Sequence, residues 1–283
     1  MTSTTNYWDN IHRVKEAINN ADALLVGVGA GMSTAAGFTY SGERFHKYFD
    51  DFYKKYGITD MYSGGFYNYE SLEEYWAFFS RLTYYNRYDI QVGEPYLQLM
   101  KLLEGKNYFV ITTNVDHQMQ LAGVDKNKFY YMQGDYGLWQ CSEPCHQKTY
   151  DNKEQVQRMV DEQRDMKIPT HLIPHCPKCG RPMTMNLRID STFVQDEGWY
   201  AAQKRYTDFV EKYKDKRIVL LELGVGFNTP MIIKYPFMRM ADDNIDALYV
   251  PINVEKQPIP FEIQHNTIPF NDDILKVLND LLA

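Results

Sequence analysis

The sequence predicts an α/β protein built on a doubly wound, Rossmann-like parallel sheet, and three observations support this fold class. Short apolar runs alternate with amphipathic helical stretches along the chain. Several of these runs are apolar at nearly every position, which is typical of parallel strands buried on both faces. Two runs end in glycine-rich turns, at residues 27–31 and 224–226, and open α/β sheets bind ligands at the carboxyl ends of their strands.

The predicted elements follow one another in an order that fits this fold. The predicted strands cover residues 24–28, 108–114, 129–135, 217–223 and 247–253. Amphipathic helices outside the insertions are predicted over residues 6–21, 96–103, 199–214 and 272–282. No internal repeat or low-complexity tract interrupts the alternation. The chain is therefore predicted to be a single domain over residues 1–283.

Residues 45–89 carry many aromatic side chains and are predicted to form a helical insertion lobe. Phe45, Phe49 and Phe52 recur at helical spacing, so we interpret them as core residues rather than as a cofactor pocket. Two adjacent glycines at residues 64–65 predict a mobile turn between two helices of the lobe. Such a turn makes the lobe a candidate lid over the glycine-rich strand end.

The composition is that of a globular protein that binds neither nucleic acid nor membranes. The chain has 37 acidic and 30 basic residues, a net charge of -7 and no cluster of Lys and Arg. Surfaces that bind nucleic acid or anionic membranes need such a basic patch. Residues 23–42 are uncharged, but their Gly, Ser and Thr content is too polar for a membrane span. Residues 1–13 lack the features of a signal peptide, so we expect a cytoplasmic protein.

Residues 24–38 predict a phosphate-binding turn between a strand and a helix. An apolar run is followed by glycines and then by small residues that can begin a helix. Gly29 and Gly31 lack a Cβ, so a ligand can approach their backbone N–H groups near the positive end of the helix. The alternative is a glycine-rich packing turn, because the third glycine of G-x-G-x-x-G would fall on Thr34.

Polar side chains follow the second and third predicted strands. Asn114 and Asp116 come after one apolar run, and Gln133 comes after the next. The carboxyl ends of parallel strands lie at the same edge of a sheet, so these residues are candidates for a site. Other interpretations stay open, since Asn114 can cap the next helix and Gln133 can be a solvated loop residue. His117 can be a substitute base, although a surface or core histidine is the commoner case.

All cysteines of the chain lie in one segment and predict a structural zinc site within a lobe over residues 138–190. The thiols come in two close pairs, Cys141 with Cys145 and Cys176 with Cys179. Four thiolates are the ligand set of a closed tetrahedral zinc site, and in a reducing compartment close pairs are more typical of metal binding than of disulfides. The neighbouring imidazoles remain alternative ligands, and these belong to His146 and His175.

Taken together, these residues resemble the motifs of the sirtuins, a family of NAD-dependent protein deacylases and ADP-ribosyltransferases. Residues 29–33 resemble the family's G-A-G-x-S turn, and residues 112–116 resemble its T-Q-N-I-D strand end. Residues 224–226 and 252–253 stand where the family holds the adenosine half of NAD, and the cysteine pairs resemble its zinc module. The likeness covers residues 21–255 and implies NAD as co-substrate and Zn²⁺ as a structural ion.

The resemblance also implies roles for individual residues. The implied catalytic residues are Asn114, which holds the ribose hydroxyls and a water near C1′, Asp116, which binds the nicotinamide carboxamide, and Gln133, which orients the ribose. The diphosphate and adenosine contacts that it implies are Gly29, Ala30, Gly31, Ser33, Arg44, Thr113, Gly224, Gly226, Asn228 and Asn253.

Three departures from the family pattern bear on activity. Deacylating sirtuins carry a histidine base in a His-Gly pair, whereas this chain has Gln133, whose amide accepts no proton near neutral pH. The Phe-Gly-Glu segment that clamps an acyl-lysine peptide is missing from residues 183–189. The family's Pro-Asp-Phe-Arg is replaced within residues 39–45, where Arg44 stands in for its arginine. Deacylation by the usual route is therefore predicted to fail.

These departures resemble the macrodomain-linked, class M sirtuins of microbial pathogens, which share a glutamine in place of the histidine. The likeness implies a protein ADP-ribosyltransferase that consumes NAD, releases nicotinamide and modifies a lipoylated carrier protein similar to the glycine-cleavage H protein. It also implies a macrodomain hydrolase partner that removes the mark. Two alternatives stay open at this point: a protein-lysine deacylase with a relocated base, and a non-catalytic module that binds NAD or ADP-ribose.

Overall fold

A computed structural model describes residues 4–283 of the chain. The first three residues of the segment that we examined for a signal peptide lie outside this range. The strands are β1 (Ala23–Val28), β2 (Tyr108–Thr112), β3 (Phe129–Tyr131), β4 (Gly134–Cys141), β5 (Tyr150–Asp151), β6 (Met183–Leu187), β7 (Ile218–Leu223) and β8 (Leu248–Ile252). In the described residues no helix is long and apolar enough to span a bilayer.

The helices lie around these strands, and the four predicted outside the insertions begin and end within two residues of their predicted ranges. They are α1 (Thr4–Asn20), α2 (Ala30–Ala35), α3 (Glu43–Tyr56), α4 (Met61–Gly65), α5 (Leu72–Thr83), a π-helix (Tyr84–Tyr88), α6 (Glu94–Leu102), α7 (Gln118–Leu121), α8 (Lys153–Glu162), α9 (Glu197–Tyr213), α10 (Lys234–Asp243) and α11 (Ile274–Leu282). Short 3₁₀ turns lie at Lys126–Lys128, Thr170–Leu172 and Phe261–Asn266.

The larger sheet is parallel and has the strand order β3-β2-β1-β7-β8. The chain moves from β1 outward to β2 and β3, and then returns to the other side of β1 with β7 and β8. The order therefore reverses between β1 and β7, which is the position where doubly wound sheets hold ligands. The predicted doubly wound, Rossmann-like fold is confirmed.

Both faces of this sheet are covered, which explains why its strands are apolar at nearly every position. Alternate residues of β1 point to opposite faces: Leu24 and Val26 pack with α1, α6 and α11, whereas Ala23 and Leu25 pack with α9 and α10. Each of these side chains is at most 1% exposed. Burial of a Leu or Val side chain stabilises the fold by about 1.5–3 kcal/mol.

Residues of α3, α4, α5 and the π-helix pack around a second core, in the part of the chain where the sequence predicts a helical lobe. Phe45, Phe49 and Phe52 on α3 are fully buried there, so their interpretation as core residues is confirmed. Phe49 and Phe52 contact Phe78 of α5, and Phe45 stacks on Phe49. The helical spacing of these rings places all three on one face of α3. The lobe joins the smaller sheet through Trp139 of β4, which belongs to the same core.

The predicted mobile turn at residues 64–65 is wrong. Both glycines belong to α4, whose first turn is capped by Asp60 through the N–H of Ser63 at 2.8 Å. Gly64 is buried, and a Cβ at this position would lie 2.3 Å from the ring of Phe78. Gly64 is thus required for close packing rather than for a turn between helices.

The smaller sheet is antiparallel, with the strand order β5-β4-β6, and it carries the cysteine segment. Cys141 is the last residue of β4, and the second cysteine pair lies in the loop that leads into β6. β4 begins three residues after β3 ends, so the start of this small sheet lies beside the carboxyl edge of the large one.

Candidate active site

The glycine-rich turns after β1 and β7 pack directly against each other. The N–H of Gly29 donates to the carbonyl oxygen of Leu223 at 2.9 Å, and the N–H of Gly31 donates to that of Gly224 at 2.8 Å. A Cβ on Gly29 would lie 2.7 Å from the Gly224 oxygen, and a Cβ on Gly31 would lie 2.7 Å from the Gly224 Cα. Real Cβ atoms do not approach backbone that closely, so both positions need glycine.

This packing corrects one part of the sequence interpretation. Gly29 and Gly31 were expected to offer their N–H groups to a ligand, but both groups already donate to carbonyl oxygens across the switch point. The packing-turn alternative therefore explains why these two glycines are needed. Gly29 is also the N-cap of α2, and it has no side chain that could bond the free N–H groups of the first turn. The positive end of α2, which begins at Ala30, faces the same edge of the sheet.

A cleft of about 410 Å³ opens between these turns at the switch point. It unites eight residues that the sequence predicted as cofactor contacts, namely Gly29, Ala30, Gly31, Thr113, Gly224, Gly226, Asn228 and Asn253. Its other lining residues are Thr34, Ala35, Val225, Thr229, Val254, Glu255, Asp273 and Ile274. A Cβ on Gly226 would meet nothing within 4 Å, so this glycine borders open space rather than packed backbone. A cleft at a switch point whose lining includes the first residue of a helix is where doubly wound folds bind dinucleotides.

Three of the remaining predicted residues form a hydrogen-bonded network beside this cleft. The Ser33 hydroxyl donates to Asp116 Oδ2 at 2.5 Å and lies 3.0 Å from the hydroxyl of Tyr96. Asn114 Nδ2 donates to the carbonyl oxygen of Gly29 at 2.9 Å, and its second N–H points to Ser33 Oγ at 3.1 Å and Tyr96 Oη at 3.2 Å. The Asn114 amide nitrogen is therefore fully occupied, and its Oδ1 is the atom available to a ligand.

Tyr96 is the residue of this network that the sequence analysis missed. It lies on α6 and is fully buried, and its hydroxyl reaches both Ser33 and Asn114. Burial and the nearby Asp116 carboxyl raise the pKa of Tyr96 well above its usual value, so it remains a neutral hydroxyl. The sequence after Pro95 predicts a helix at this position, but no neighbouring residue indicates that the Tyr96 hydroxyl contacts side chains at the ends of strands.

Asp116 is held away from solvent and bonded on both oxygens. Its Oδ1 accepts the N–H of Gln118 at 3.1 Å, and its Oδ2 accepts the Ser33 hydroxyl. Burial raises the pKa of Asp116 above its usual range, and the hydrogen bond from Ser33 opposes that shift. Asp116 therefore fixes Ser33 and the start of α7, and it lies outside the lining of the cleft.

Gln133 follows β3, one strand further from the cleft than Asn114. Its carbonyl oxygen accepts the N–H of Arg188 at 3.0 Å, and its side chain is half-buried. Within residues 4–283 the Gln133 side chain makes no hydrogen bond, so it has no direct contact of this kind with Asn114. The next residue, Gly134, has a φ of +94° and lies so close to Asn186 that a Cβ would be 1.9 Å from its oxygen. The backbone turn that follows Gln133 is therefore tightly packed against Asn186.

Arg44 is bound by the helical lobe rather than presented to the cleft. Its guanidinium donates to the carbonyl oxygens of Thr39 at 3.0 Å and Tyr85 at 2.6 Å and to Asn86 Oδ1 at 2.8 Å. Burial lowers the pKa of Arg44. The structure therefore gives this side chain a role in joining α3 to the π-helix, and it does not group Arg44 with the other predicted diphosphate contacts.

A second polar group that the sequence analysis did not assemble lies after β2. His117 Nδ1 is 2.6 Å from Asp135 Oδ2, and Asp135 Oδ1 accepts Arg87 Nε at 2.8 Å. The sequence leaves His117 either as a substitute base or, more commonly, as a surface or core histidine, and it places Asp135 at the end of an apolar run. The pairing joins residues from three separate elements, so no local spacing could indicate it.

The four cysteines lie together at the end of the small sheet. All four sulfurs are within 4.8 Å of one another, with Cys141 and Cys179 at 3.5 Å and Cys145 and Cys176 at 3.6 Å. A tetrahedral zinc ion with Zn–S bonds near 2.3 Å places its sulfurs about 3.8 Å apart, so the donor set fits Zn²⁺.

The two alternative zinc ligands are engaged elsewhere. His146 Nδ1 lies 3.0 Å from Cys145 Sγ, and its Nε2 lies 2.7 Å from the hydroxyl of Tyr150. His175 Nδ1 lies 3.1 Å from the carbonyl oxygen of Gly180. These contacts favour the four-cysteine site, with His146 orienting one ligand from outside.

Comparison with known proteins places this architecture in a family. Residues 29–219 match the profile described as the Sir2 family. A Staphylococcus aureus (strain Mu50) protein named "Protein ADP-ribosyltransferase" is 43% identical over 270 residues, which are 95% of this chain and 86% of that protein. A Fusarium oxysporum f. sp. cubense protein named "Probable bifunctional ADP-ribose hydrolase/ADP-ribosyltransferase" is 30% identical over 264 residues, 88% of this chain but 43% of that longer protein.

Solved structures agree on the fold. The structure described as "Sir2-p53 peptide-NAD+" has a TM-score of 0.58 at 16% identity and covers 96% of this chain and 97% of its own. The structure described as "Structural Basis for the Mechanism and Regulation of Sir2 Enzymes" has a TM-score of 0.60 at 19% identity and covers 96% of both chains. Because the family profile spans well over half of the sequence and a close relative covers nearly all of it, this chain belongs to the Sir2, or sirtuin, family.

Proposed function

We propose that this protein is an NAD-dependent protein ADP-ribosyltransferase that releases nicotinamide and transfers ADP-ribose to a side chain of another protein. The main support for this proposal is the presence of Gln133 on the turn after β3, at the position where deacylating sirtuins have their histidine base. The side chain of a glutamine does not titrate. The names of the bacterial and fungal relatives support the same activity. The switch-point cleft supports NAD as the donor.

The side chains around the cleft have roles that follow from their contacts. Bound NAD supplies a ribose C1′ whose bond to nicotinamide breaks with departure of a neutral molecule, so catalysis depends mainly on positioning and electrostatics. Asn114 Oδ1 can accept a hydrogen bond from a ribose hydroxyl, because Asn114 Nδ2 is held by Gly29, Ser33 and Tyr96. Gln133 holds the ribose without removing its proton. Asp116 acts through Ser33, to which it is bonded.

The remaining predicted contacts line the cleft from two sets of turns. Ala30, at the start of α2, is a proposed diphosphate contact together with Gly29 and Gly31. The proposed adenosine contacts come from the turns after β7 and β8, namely Gly224, which packs against Gly29 and Gly31, and Gly226, Asn228 and Asn253. The predicted zinc ion contributes stability to the small sheet rather than chemistry, because all four of its positions are taken by cysteines.

The acceptor that we propose is a lipoylated carrier protein similar to the glycine-cleavage H protein. The likeness to class M sirtuins supports this choice. A macrodomain hydrolase is the proposed partner that removes the mark, and the name of the fungal relative, which joins an ADP-ribose hydrolase to an ADP-ribosyltransferase, supports such a pairing.

The test is to incubate the full chain with NAD and the lipoylated carrier and to weigh the carrier by mass spectrometry. The expected result is a gain of one ADP-ribose, together with release of nicotinamide, and a strong decrease with Gln133→Ala. An exposed glutamine on α8, Gln157, provides the matched control as Gln157→Ala. An unmodified carrier with folded enzyme contradicts the proposal. Release of O-acetyl-ADP-ribose from an acetyl-lysine peptide would instead identify a deacylase, and tight NAD binding without nicotinamide release would identify a binding module.

A further inference from the structure

A buried carboxylate and a buried ammonium lie beneath the loop that follows β7. Glu222 is the second-last residue of β7 and Lys234 is the first residue of α10, and their side chains are 1% and 0% exposed. Lys234 Nζ donates to Glu222 Oε1 at 2.5 Å, and the hydroxyl of Tyr249 on β8 donates to Glu222 Oε2 at 2.7 Å. Both oxygens of the carboxylate are therefore bonded. The proposed function uses none of these three residues.

The ion pair joins the two ends of the loop over residues 224–233, which connects β7 to α10. Glu222 lies two residues before this loop, and Lys234 directly follows it. The end at α10 is tightly packed, because a Cβ on Gly27 of β1 would lie 2.2 Å from Ile233 Cγ2. The loop supplies five lining residues of the switch-point cleft, namely Gly224, Val225, Gly226, Asn228 and Thr229.

The middle of this loop has few other contacts. Within residues 4–283 the backbone groups of residues 226–229 form no hydrogen bond with other backbone groups, and all four residues are exposed. The ring of Phe227, however, lies over the buried ammonium, with Lys234 Nζ 5.1 Å from its centroid. Such a cation–π attraction is stronger where the cation is shielded from water. Phe227 therefore connects the middle of the loop to the buried pair.

The ammonium has capacity for this second contact. A lysine ammonium carries three N–H groups, and Glu222 is the one hydrogen-bond acceptor that Lys234 Nζ has within the described part of the chain. Burial raises the pKa of Glu222, and the charge of Lys234 opposes that shift. The ring of Phe227 is the remaining group that faces the positive charge.

A buried pair of this kind is better explained by conformation than by stability. The cost of removing two charges from water can exceed their mutual attraction, so replacing such a group by apolar side chains is often neutral or stabilising. The pair between Glu222 and Lys234 instead selects one arrangement, in which the ammonium meets both the carboxylate and Phe227.

We propose that Lys234, fixed by Glu222, is a positioning residue for NAD: through Phe227 it holds the loop after β7 in the conformation in which Gly226 and Asn228 contact the dinucleotide. The proposal rests on the proposed function for the identity of the ligand. The side chains of the pair and of Phe227 lie outside the lining of the cleft, so their action on NAD is indirect.

This role predicts an effect on NAD binding rather than on the chemical step. The candidate catalytic residues Asn114 and Gln133 follow β2 and β3, on the other side of β1 from the loop after β7. Loss of the buried group should therefore displace one wall of the cleft and leave the residues around the ribose in place.

The test compares full-length variants by calorimetric titration with NAD, by nicotinamide release with NAD and the lipoylated carrier, and by urea unfolding. A single substitution in the pair leaves a buried charge without its partner, so the whole group is replaced, as Glu222→Leu, Lys234→Met and Tyr249→Phe together. We expect the dissociation constant and the KM of NAD to rise by about 10-fold or more, with kcat within about threefold of the wild type. The urea midpoint should equal that of the wild type or exceed it.

A second variant, Phe227→Leu, tests the same step without any change in the buried pair. The ring is 45% exposed, so leucine should leave the urea midpoint unchanged. We expect the KM of NAD to rise by about threefold or more through loss of the cation–π contact, with kcat unchanged. If the triple variant does not fold, this variant decides alone.

Two matched controls should leave the KM of NAD unchanged. Phe261→Leu replaces another exposed ring, which is 83% exposed on a 3₁₀ turn. Lys55→Met with Glu74→Leu removes a pair whose carboxylate is also buried, but in the helical lobe.

Wild-type KM and NAD affinity in both the triple variant and Phe227→Leu overturn the proposal and leave the proposed function intact. A KM that rises only together with a lower urea midpoint also overturns it, since it indicates a structural role, and so does a loss of kcat without a change in NAD affinity. Wild-type protein that binds NAD without releasing nicotinamide overturns the proposed function, and the NAD affinities of the variants still decide this step. Wild-type protein that does not bind NAD overturns both.

Discussion

The side-chain nitrogen of Asn114 lies 2.9 Å from the carbonyl oxygen of Gly29, so the end of β2 is bonded to the turn that follows β1. A carbonyl oxygen accepts hydrogen bonds and cannot donate them. This contact therefore fixes the Asn114 amide with Nδ2, rather than Oδ1, facing the turn. The resemblance to the family motif points to Asn114, and the contact with Gly29 shows which atom of its side chain, Nδ2, is bonded to the turn.

Asn114→Asp tests that orientation. The substitution places a carboxylate oxygen against the carbonyl of Gly29, and the repulsion between them must displace either the side chain or the turn. We expect nicotinamide release to fall by about 100-fold or more, the effect of losing one positioned polar contact in a catalytic site. The measurement is steady-state nicotinamide release with NAD. Asn19→Asp, at an exposed position that only accepts a bond from Lys106, serves as control, and equal activity of both variants would contradict the prediction.

Gly31→Ala tests whether the glycines are needed for packing. The added methyl would lie 2.7 Å from Gly224 Cα, which is backbone and cannot rotate away. We expect a loss of about 1–3 kcal/mol in the free energy of unfolding, typical of overpacking, and NAD binding weakened by at least about tenfold. Urea unfolding and calorimetric titration with NAD measure the two effects.

Gly65→Ala is the matched control for this substitution. Gly65 also lies in a short helix, but a Cβ there meets nothing within 4 Å. Alanine has the higher helix propensity, so this variant should be as stable as the wild type or slightly more stable. Similar destabilisation by both substitutions would contradict the prediction, because a Cβ on Gly65 meets nothing and only the one on Gly31 meets Gly224.

Much of the fold could be predicted because its signals are local. The strands are apolar throughout since both faces of the sheet are covered, and the two glycine-rich runs mark the strand ends that meet at the switch point. The four cysteines could be grouped because no other cysteine competes with them. These features depend on composition and spacing, which a sequence displays directly.

The contacts that refine the site could not be predicted, because each joins distant segments. Tyr96 reaches Ser33 from another helix, and His117 meets Asp135 across the start of the small sheet. Arg44 was aligned with a family arginine, yet it bonds to the carbonyl of Tyr85 in the helical lobe. A tertiary contact of a polar side chain leaves no periodic signal in the sequence, so only the folded arrangement identifies its partner.

Removal of zinc should unfold the small sheet before it affects the large one. The four sulfurs fit one Zn²⁺, and a structural zinc site contributes folding energy to the segment that it closes. We expect one zinc per chain by elemental analysis, less than half of that in Cys179→Ser, and a lower melting temperature after treatment with a strong chelator. His175→Gln should retain full zinc, because His175 faces the carbonyl oxygen of Gly180. Zinc loss in this variant as well would point to a mixed ligand set.

Asp135 should make the protein sensitive to acid. Its pKa in the folded state is lower than the usual 3.8, because the hydrogen bond from His117 and the charge of Arg87 outweigh the opposing effect of burial. The ionised carboxylate therefore stabilises the folded state at every pH above 3.8, and this contribution is lost as the pH falls through the lower folded value. Asp135→Asn lacks the contribution at any pH.

We expect Asp135→Asn to lower the free energy of unfolding by about 3 kcal/mol at pH 7, because the substitution leaves the guanidinium of Arg87 without its buried partner. The difference from the wild type should shrink between pH 4 and pH 3. Urea unfolding followed by tryptophan fluorescence at several pH values measures it. Asp50→Asn removes a carboxylate from an exposed pair and should have a much smaller effect, since solvent screens such pairs. A difference between Asp135→Asn and the wild type that stays constant down to pH 3 would mean that the carboxylate charge contributes nothing and that only its packing matters.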